Sequence, residues 1–456
     1  MKPEDCISNL TGSEFKSIKL AAVSLGCSKN RIDTEEVLGL LSGWGFVITD
    51  DYRSADIIIV NTCSFIEEAQ QESVNKLLEL SGTTGRQPKI VAAGCLVELF
   101  GSKITKSIPE IDGAIGAHSY RSLEKFMKML ISGKRPVIKQ KPSATYSSLS
   151  PRILTSPAHS ANVKIAEGCS NRCHYCLIPS IRGIYRSRRP EEIVTEIKSL
   201  LANGTREINL IAQDTTAYGT DSETLPDLSG LIRQILDLDY QFWLRIMYTY
   251  PSRIDDQLID LIASESRICN YLDLPIQHVS DQILRLMNRS YGKEELSGLV
   301  KKLRNRIPDL ALRTTCMVGY PGEGLRQFRE LIDFITENPF ERLGAFTYSG
   351  QEGTVAADMA GEVPPRVAKK RYRELMLRQQ RISDQLNRSL IGKELRVIVE
   401  KAIEPHQGRY YGRTEYQAPE VDGGVYFSSQ SLLMPGEMVS VKVCASSPYN
   451  LLAKAL

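Results

Sequence analysis

The chain has 456 residues, 42% hydrophobic and 24% charged, with a formal net charge of +3. That length accommodates about three domains, each able to bury a core, and the composition is ordinary for a soluble globular protein. So small a charge excess makes no electrostatic case for nucleic acid, and no run of about 18 apolar residues offers a membrane span. The first residues, MKPEDCISNLTGSEFKS, lack the apolar core of a signal peptide and read as a loose leader. The protein is therefore expected in the cytoplasm, where thiols stay reduced and clustered cysteines serve metal or redox chemistry rather than disulfides.

Residues 18–131 alternate strand and helix. LAAVSLGC is followed by a helical pattern over residues 30–41, with Gly43 and Gly45 marking its stop. ADIIIVNTC leads into a second helix over about residues 64–80, and KIVAAGC repeats the theme. Runs apolar on both faces and linked by helices predict a parallel α/β sheet. Cys27, Cys63 and Cys95 each close one of these strands. Ligands bind at the carboxyl edge of such a sheet, so three cysteines distant in sequence are expected to converge there. They read as ligands of a metal cluster with one free coordination site. Asn30, in SLGCSKN, is most simply a helix cap, with contact to that cluster as the alternative.

Residues 132–160 are rich in Ser, Pro and Lys without periodicity and read as a linker. Residues 161–387 form a second α/β series, with strands predicted at NVKIAEG, REINLIAQD, FWLRIMY, YLDLPIQ, LALRTTCMVGY and RLGAFTYS. Helices are predicted to begin near Pro190, Leu225, Asp255, Asp281 and Gly324. Six βα units suggest a partial (β/α)6 barrel, with functional residues at the carboxyl ends of its strands.

The stretch after the first of these strands, EGCSNRCHYCLIPSIRG, holds Cys169, Cys173 and Cys176 at C-x3-C-x2-C spacing. A structural zinc site wants four protein ligands, usually in two pairs, and no second pair follows at a close interval. Three thiolates suit a 4Fe-4S cluster that keeps one iron open for chemistry. His174 could ligate zinc; a solvent-facing or supporting role suits its position better. Polar residues follow other strands: Gln213 and Asp214, then Gln277, His278 and Ser280, then Gly319, Gly322 and Glu323. Each serves equally as a turn or cap, but their shared placement at the predicted mouth makes them candidates for cofactor or substrate contact. The remaining cysteines, Cys6, Cys269, Cys316 and Cys444, read as plain thiols.

Residues 364–390 predict a long amphipathic helix with a basic outer face and apolar positions at Leu375, Leu377, Ile382 and Leu386. Residues 388–456 alternate in KELRVIVEKAI and EMVSVKVCAS and predict a small antiparallel β-barrel. Over residues 391–456 seven basic residues are balanced by seven acidic ones, a poor match to an RNA phosphate backbone.

The C-x3-C-x2-C motif with Tyr175 before its last cysteine resembles the radical S-adenosylmethionine (SAM) superfamily. CSNRCHYCLIPSIRG with the following Ser187 and Arg188, together with SLGCSKN, VNTCSF and AAGCL, resembles its methylthiotransferase branch, and the last domain resembles the TRAM module. QDTTAYG, LPIQHVSDQILRLMNR and VGYPGE extend the resemblance across the barrel. It implies two 4Fe-4S clusters, a SAM-binding one on Cys169, Cys173 and Cys176 and an auxiliary one on Cys27, Cys63 and Cys95. It also implies SAM contacts from Tyr175, Gln213, Asp214 and Gln277, and an electron donor such as flavodoxin or ferredoxin.

Two substrates compete within the branch: an aspartate of the twelfth protein of the small ribosomal subunit, and an isopentenylated adenosine beside the tRNA anticodon. SLGCSKN, QDTTAYG, QAPEVDGGVYF and the charge-neutral last domain resemble the first group. A non-enzymatic metal- or RNA-binding scaffold is the reading from another class; against it, two open three-cysteine sites are wasteful for pure structure.

Overall fold

The computed structural model describes residues 17–82, 88–143, 145–146 and 152–456. Most of the leader, with Cys6, and residues 147–151 of the segment read as a linker lie outside the described residues. The chain divides into two compact units: Met1–Thr155 with Glu167–Ser170 and Leu177–Arg188, and Ser156–Ala166 with Asn171–Cys176 and Arg189–Leu456.

The first unit is built on a six-stranded, wholly parallel sheet. From edge to edge its strands are Val47–Ile48, Lys19–Ser24, Ile57–Thr62, Lys89–Gly94, Gly113–Gly116 and Val137–Ile138. Alternate side chains of a strand point to opposite faces, and both faces here are covered. Ile57 and Ile59 pack with Val37, Leu41, Phe126 and Leu130 under the helices Ser28–Gly43 and Leu123–Ile131. Ile58 and Val60 pack with Leu77, Leu80 and Ile104 on the other side. Each such side chain contributes about 1.5–3 kcal/mol of burial, which is why the strands read as continuous apolar runs. The segment read as a linker supplies the edge strand Val137–Ile138, paired with Ala114 and Ile115. It also reaches helix Ser28–Gly43, where the Ile153 amide donates to the Glu35 carbonyl.

The second unit carries six parallel strands in sequence order: Ser160–Lys164, Glu207–Ile211, Trp243–Ile246, Ile268–Asp273, Ala311–Val318 and Arg342–Thr347. All six lie where the apolar runs predict them. Helix starts follow side-chain caps: Asp227 accepts from the Gly230 amide and Asp255 from the Leu258 amide, so these helices run Leu228–Leu236 and Asp256–Ser264. The single helix expected at Asp281 is two, Asp281–Leu286 and Lys293–Arg306, because Asn288 turns the chain into a left-handed conformation at φ +57°.

The long helix Pro365–Arg388 packs on strand Arg342–Thr347. Its buried stripe is more polar than expected: Ala368, Arg371, Leu375, Gln379, Ser383 and Asn387, with Leu377 exposed. The polar members are bonded, since Gln379 donates to the Phe340 carbonyl and Ser383 to the Glu341 carbonyl. The C-terminal strands Glu394–Glu404, Arg409–Thr414, Val425–Ser428, Leu451–Ala455 and Met438–Ser446 form a closed barrel. One pair departs from the antiparallel expectation: Val425–Ser428 and Leu451–Ala455 run parallel and complete the ring.

The barrel docks on the six-stranded sheet through buried charge. Tyr271 donates to Asp422 at 2.8 Å, and Arg245 donates to the Glu415 carbonyl at 2.6 Å. Asp422 and Glu415 lie in or beside the QAPEVDGGVYF stretch.

Candidate metal centres at the strand ends

In the first unit the three cysteines lie just past the carboxyl ends of three neighbouring strands, Lys19–Ser24, Ile57–Thr62 and Lys89–Gly94. Cys27 precedes helix Ser28–Gly43, Cys63 follows Ile57–Thr62, and Cys95 opens helix Cys95–Phe100. Side chains lace these ends together. Asn30 Nδ2 donates to the carbonyls of Leu25 and Thr62, both at 3.0 Å, and Asn61 Nδ2 donates to the Asn30 carbonyl at 2.7 Å. Thr62 Oγ1 donates to the Ala93 carbonyl and accepts from the Leu96 amide. Asn30 is therefore no cap: it lies inside the helix, and its Oδ1 is 3.5 Å from Cys95 Sγ.

The turn before Cys27 needs glycine. Gly26 has φ +84°, and a Cβ there would lie 2.7 Å from Cys63 Sγ. Burial pushes the Cys63 thiol up, and it pushes Cys95 up to about 12. Arg182 opposes both shifts, and the charge of Cys27 adds to both, so the three thiols share one electrostatic environment. Among the described residues no three His, Cys, Asp or Glu side chains close on a single metal ion. A polynuclear cluster spreads its thiolates over several irons, and a soft three-thiol set lined by a glycine cradle fits one.

Arg182 completes this site. Its Nη1 is 2.6 Å from Asp33 Oδ2 and 3.4 Å from Glu167 Oε2, while Nη2 is 2.5 Å from Asn30 Oδ1 and 3.1 Å from Cys95 Sγ. It ends the short helix Ile178–Arg182, whose Ile181 carbonyl meets His118 Nε2 at 2.8 Å.

The C-x3-C-x2-C loop divides between the units after Ser170. In the first, the Cys169 amide donates to the Gly183 carbonyl and Ser170 Oγ accepts from the Tyr185 amide. In the second, the Cys176 amide donates to the Cys173 carbonyl. Asn171 Nδ2 donates to Asp214 Oδ2 at 2.8 Å, and Asn288 Nδ2 to the Arg172 carbonyl at 2.9 Å. All three cysteines are half-buried. Arg289 Nη1 lies 3.6 Å from Cys173 Sγ, with its guanidinium 4.4 Å from the Tyr250 ring centroid and Nη2 2.6 Å from the Pro275 carbonyl. His174 is half-buried, with Nδ1 2.9 Å from the Leu286 carbonyl.

Tyr175 is half-buried and meets Tyr320 edge-on, with centroids 6.4 Å apart, in a cluster with Ile283, Met287 and Ala356. Asp214, 2% exposed, accepts from Asn171, Thr216 Oγ1 and Arg253 Nη1. Gln213 is half-buried beside it. Gln277 takes φ +64° and bridges the fifth strand, donating to the Thr315 carbonyl and accepting from the Met317 amide. His278 is packed away: burial, then the nearby Arg371, push its pKa down to about 3, and Nδ1 accepts from the Ser280 amide. Glu323 is engaged by Arg371 and by the amides of Gly319 and Tyr320.

Sequence reasoning singled out neither Arg182 nor Arg289. The available signal was their position in arginine-bearing motifs, RG six residues after Cys176 and MNR after the fourth strand.

Three family profiles match: the Radical SAM superfamily over residues 163–335, Uncharacterized protein family UPF0004 over residues 19–116, and the TRAM domain over residues 391–456. The chain is 44% identical over 443 residues to "Ribosomal protein uS12 methylthiotransferase RimO" of Geobacter sulfurreducens, covering 96% of this chain and 98% of that protein. It is 43% identical over 436 residues to the protein of the same name in Pelotomaculum thermopropionicum, with 95% and 98% coverage. Among solved structures, a radical S-adenosylmethionine methyltransferase, TsrM, of Kitasatospora setae shares the fold at TM-score 0.57 and 15% identity, covering 75% of this chain and 77% of that one.

Proposed function

The chain belongs to the radical SAM family of ribosomal protein uS12 methylthiotransferases, and on that premise we propose that it adds a methylthio group to the β-carbon of an aspartate of uS12, the twelfth protein of the small ribosomal subunit. The observation that carries this reading is identity above 40% along nearly the whole of relatives bearing that name. A tRNA substrate is not favoured, since the terminal barrel has no charge excess with which to hold a phosphate backbone.

Cys169, Cys173 and Cys176 are the residues that would hold a SAM-binding 4Fe-4S cluster, and Cys27, Cys63 and Cys95 a second one. When bound, these clusters and SAM supply the one-electron and sulfur chemistry that no side chain here provides. The chain's own residues position and shield. Asp214 fixes the loop through Asn171 and is itself fixed by Arg253 and Thr216. Arg289 places a cation beside Cys173. Asn30 ties two strand ends beneath the other cysteines, and burial of Cys63 and Cys95 keeps water from their sulfurs. Gln213, Asp214, Gln277 and Tyr175 remain the proposed cofactor contacts. A flavodoxin- or ferredoxin-type donor would supply electrons, and the work would take place in the cytoplasm. No described helix is long and apolar enough to cross a membrane.

The test is anaerobic reconstitution with iron, sulfide, SAM and reductant, offering uS12 and an isopentenylated tRNA in parallel. A methylthio mass gain on a uS12 aspartate is the expected result; a gain on the tRNA alone would overturn the substrate assignment. Zinc without sulfide in the purified protein would favour a scaffold over an enzyme.

A further inference from the structure

Arg182 is 3% exposed and faces two carboxylates, Asp33 and Glu167. These carboxylates pair its charge through Nη1, and a buried guanidinium must place its remaining N–H donors as well. Its second amino group finds its acceptors in Asn30 Oδ1 and, at 3.1 Å, a thiol sulfur, Cys95 Sγ. The fork is fixed at every level: Asp33 and Asn30 share one turn of helix Ser28–Gly43, and the His118 ring holds the carbonyl of the preceding Ile181. Asn30 in turn is locked by the Leu25 and Thr62 carbonyls. The guanidinium is thus held against a sulfur, in a dry site, by groups that cannot easily relax.

Hydrogen bonds to ligand sulfurs, net charge and solvent exposure set the potential of an iron–sulfur cluster. We infer that Arg182 is a positioning residue for the cluster on Cys27, Cys63 and Cys95, donating to Cys95 Sγ and raising the potential at which that cluster accepts an electron. The inference rests on the reading of those cysteines as cluster ligands. Arg182 also lies six residues after Cys176, so the segment that follows one cysteine set supplies the countercharge to the other.

The test uses the full chain with Cys169, Cys173 and Cys176 replaced by Ala, leaving one cluster to observe. Iron and acid-labile sulfide are counted, and the reduction potential and the EPR signal of the reduced cluster are recorded for Arg182, Arg182→Lys and Arg182→Gln. The expected result is a potential shifted negative in Arg182→Gln at full iron content, with Arg182→Lys between it and the parent. Loss of iron from Arg182→Gln with retention in Arg182→Lys would also support the inference, because charge would then decide whether the cluster is held. Full loading of Arg182→Gln at the parent potential would overturn it. So would equal loss of iron from both variants, which would make packing, not charge, the role. If the parent itself binds neither iron nor sulfide, the cluster reading fails first and the inference with it.

Discussion

Arg413 of the terminal barrel grips Glu207, the first residue of the strand Glu207–Ile211, with Nη2 2.5 Å from Oε2 and Nη1 3.1 Å from Oε1. Arg245 bonds the same carboxylate at 2.9 Å, and Ser160 Oγ donates to it at 2.7 Å. Burial alone would raise the Glu207 pKa, but the two guanidinium groups outweigh it and hold the carboxyl below the usual carboxylate range.

Glu207→Gln leaves the buried Arg245 guanidinium without its carboxylate and Arg413 with Glu400 alone, and should destabilise the chain by about 3–5 kcal/mol. Urea unfolding of the full chain measures this. Proteolysis in native buffer should release the terminal barrel sooner than in the parent.

The same pair fixes a pH dependence. A carboxyl with a depressed native pKa contributes its full stability above its unfolded pKa, about 4.3, and loses it as pH falls from there toward the native value. The melting temperature should therefore drop on acidification below about pH 4–5, and Glu207→Gln should flatten that acid limb. A parent and a variant with parallel acid limbs would contradict the assignment.

Asp214→Ala removes the shared acceptor of Asn171, Arg253 and Thr216. Partners that orient a ligand loop are typically worth about 10–100-fold in metal affinity, so chelator challenge should strip iron from the Cys169–Cys176 loop that much more readily. Iron on Cys27, Cys63 and Cys95 should be unaffected.

Gly26→Ala combines a left-handed backbone with a contact at 2.7 Å to Cys63 Sγ. The strain should cost about 1–3 kcal/mol and displace one thiol. Iron and sulfide content should fall by up to half, with SAM cleavage retained.

The two cysteine sets should fail differently. Cys173→Ala should abolish SAM cleavage, whereas Cys63→Ala should cleave SAM and yield no methylthio product. Chromatography of the SAM fragments and mass spectrometry of uS12 separate the two. Full product from Cys63→Ala would defeat the two-cluster scheme.

The six parallel strands of the second unit and the three cysteine-bearing strands of the first were legible because each is an apolar run ended by a polar or glycine-rich turn, a pattern local in sequence. The roles of Asn30 and Arg182 were not. A cap and a mid-helix tie look alike until Thr62, 32 residues away, supplies the acceptor, and Arg182 meets Cys95 only through the folded sheet. The polar stripe of Pro365–Arg388 was hidden for the same reason: Gln379 and Ser383 look like surface residues until the carbonyls of Phe340 and Glu341 are brought to them. Parallel pairing of the last strand depends on ring closure, which periodicity does not encode.

That closure has a consequence for how a protein substrate is grasped. With Val425–Ser428 hydrogen-bonded to Leu451–Ala455, every strand of the terminal barrel has both neighbours. The ring thus presents no free edge onto which a peptide could add as an extra strand. What the wall of the ring offers a polypeptide instead is its outward-facing side chains, such as the row of Lys401, Tyr411, Tyr426 and Leu452 that lie side by side across four strands. Recognition there would read the partner's side chains rather than pair with its backbone as an added strand.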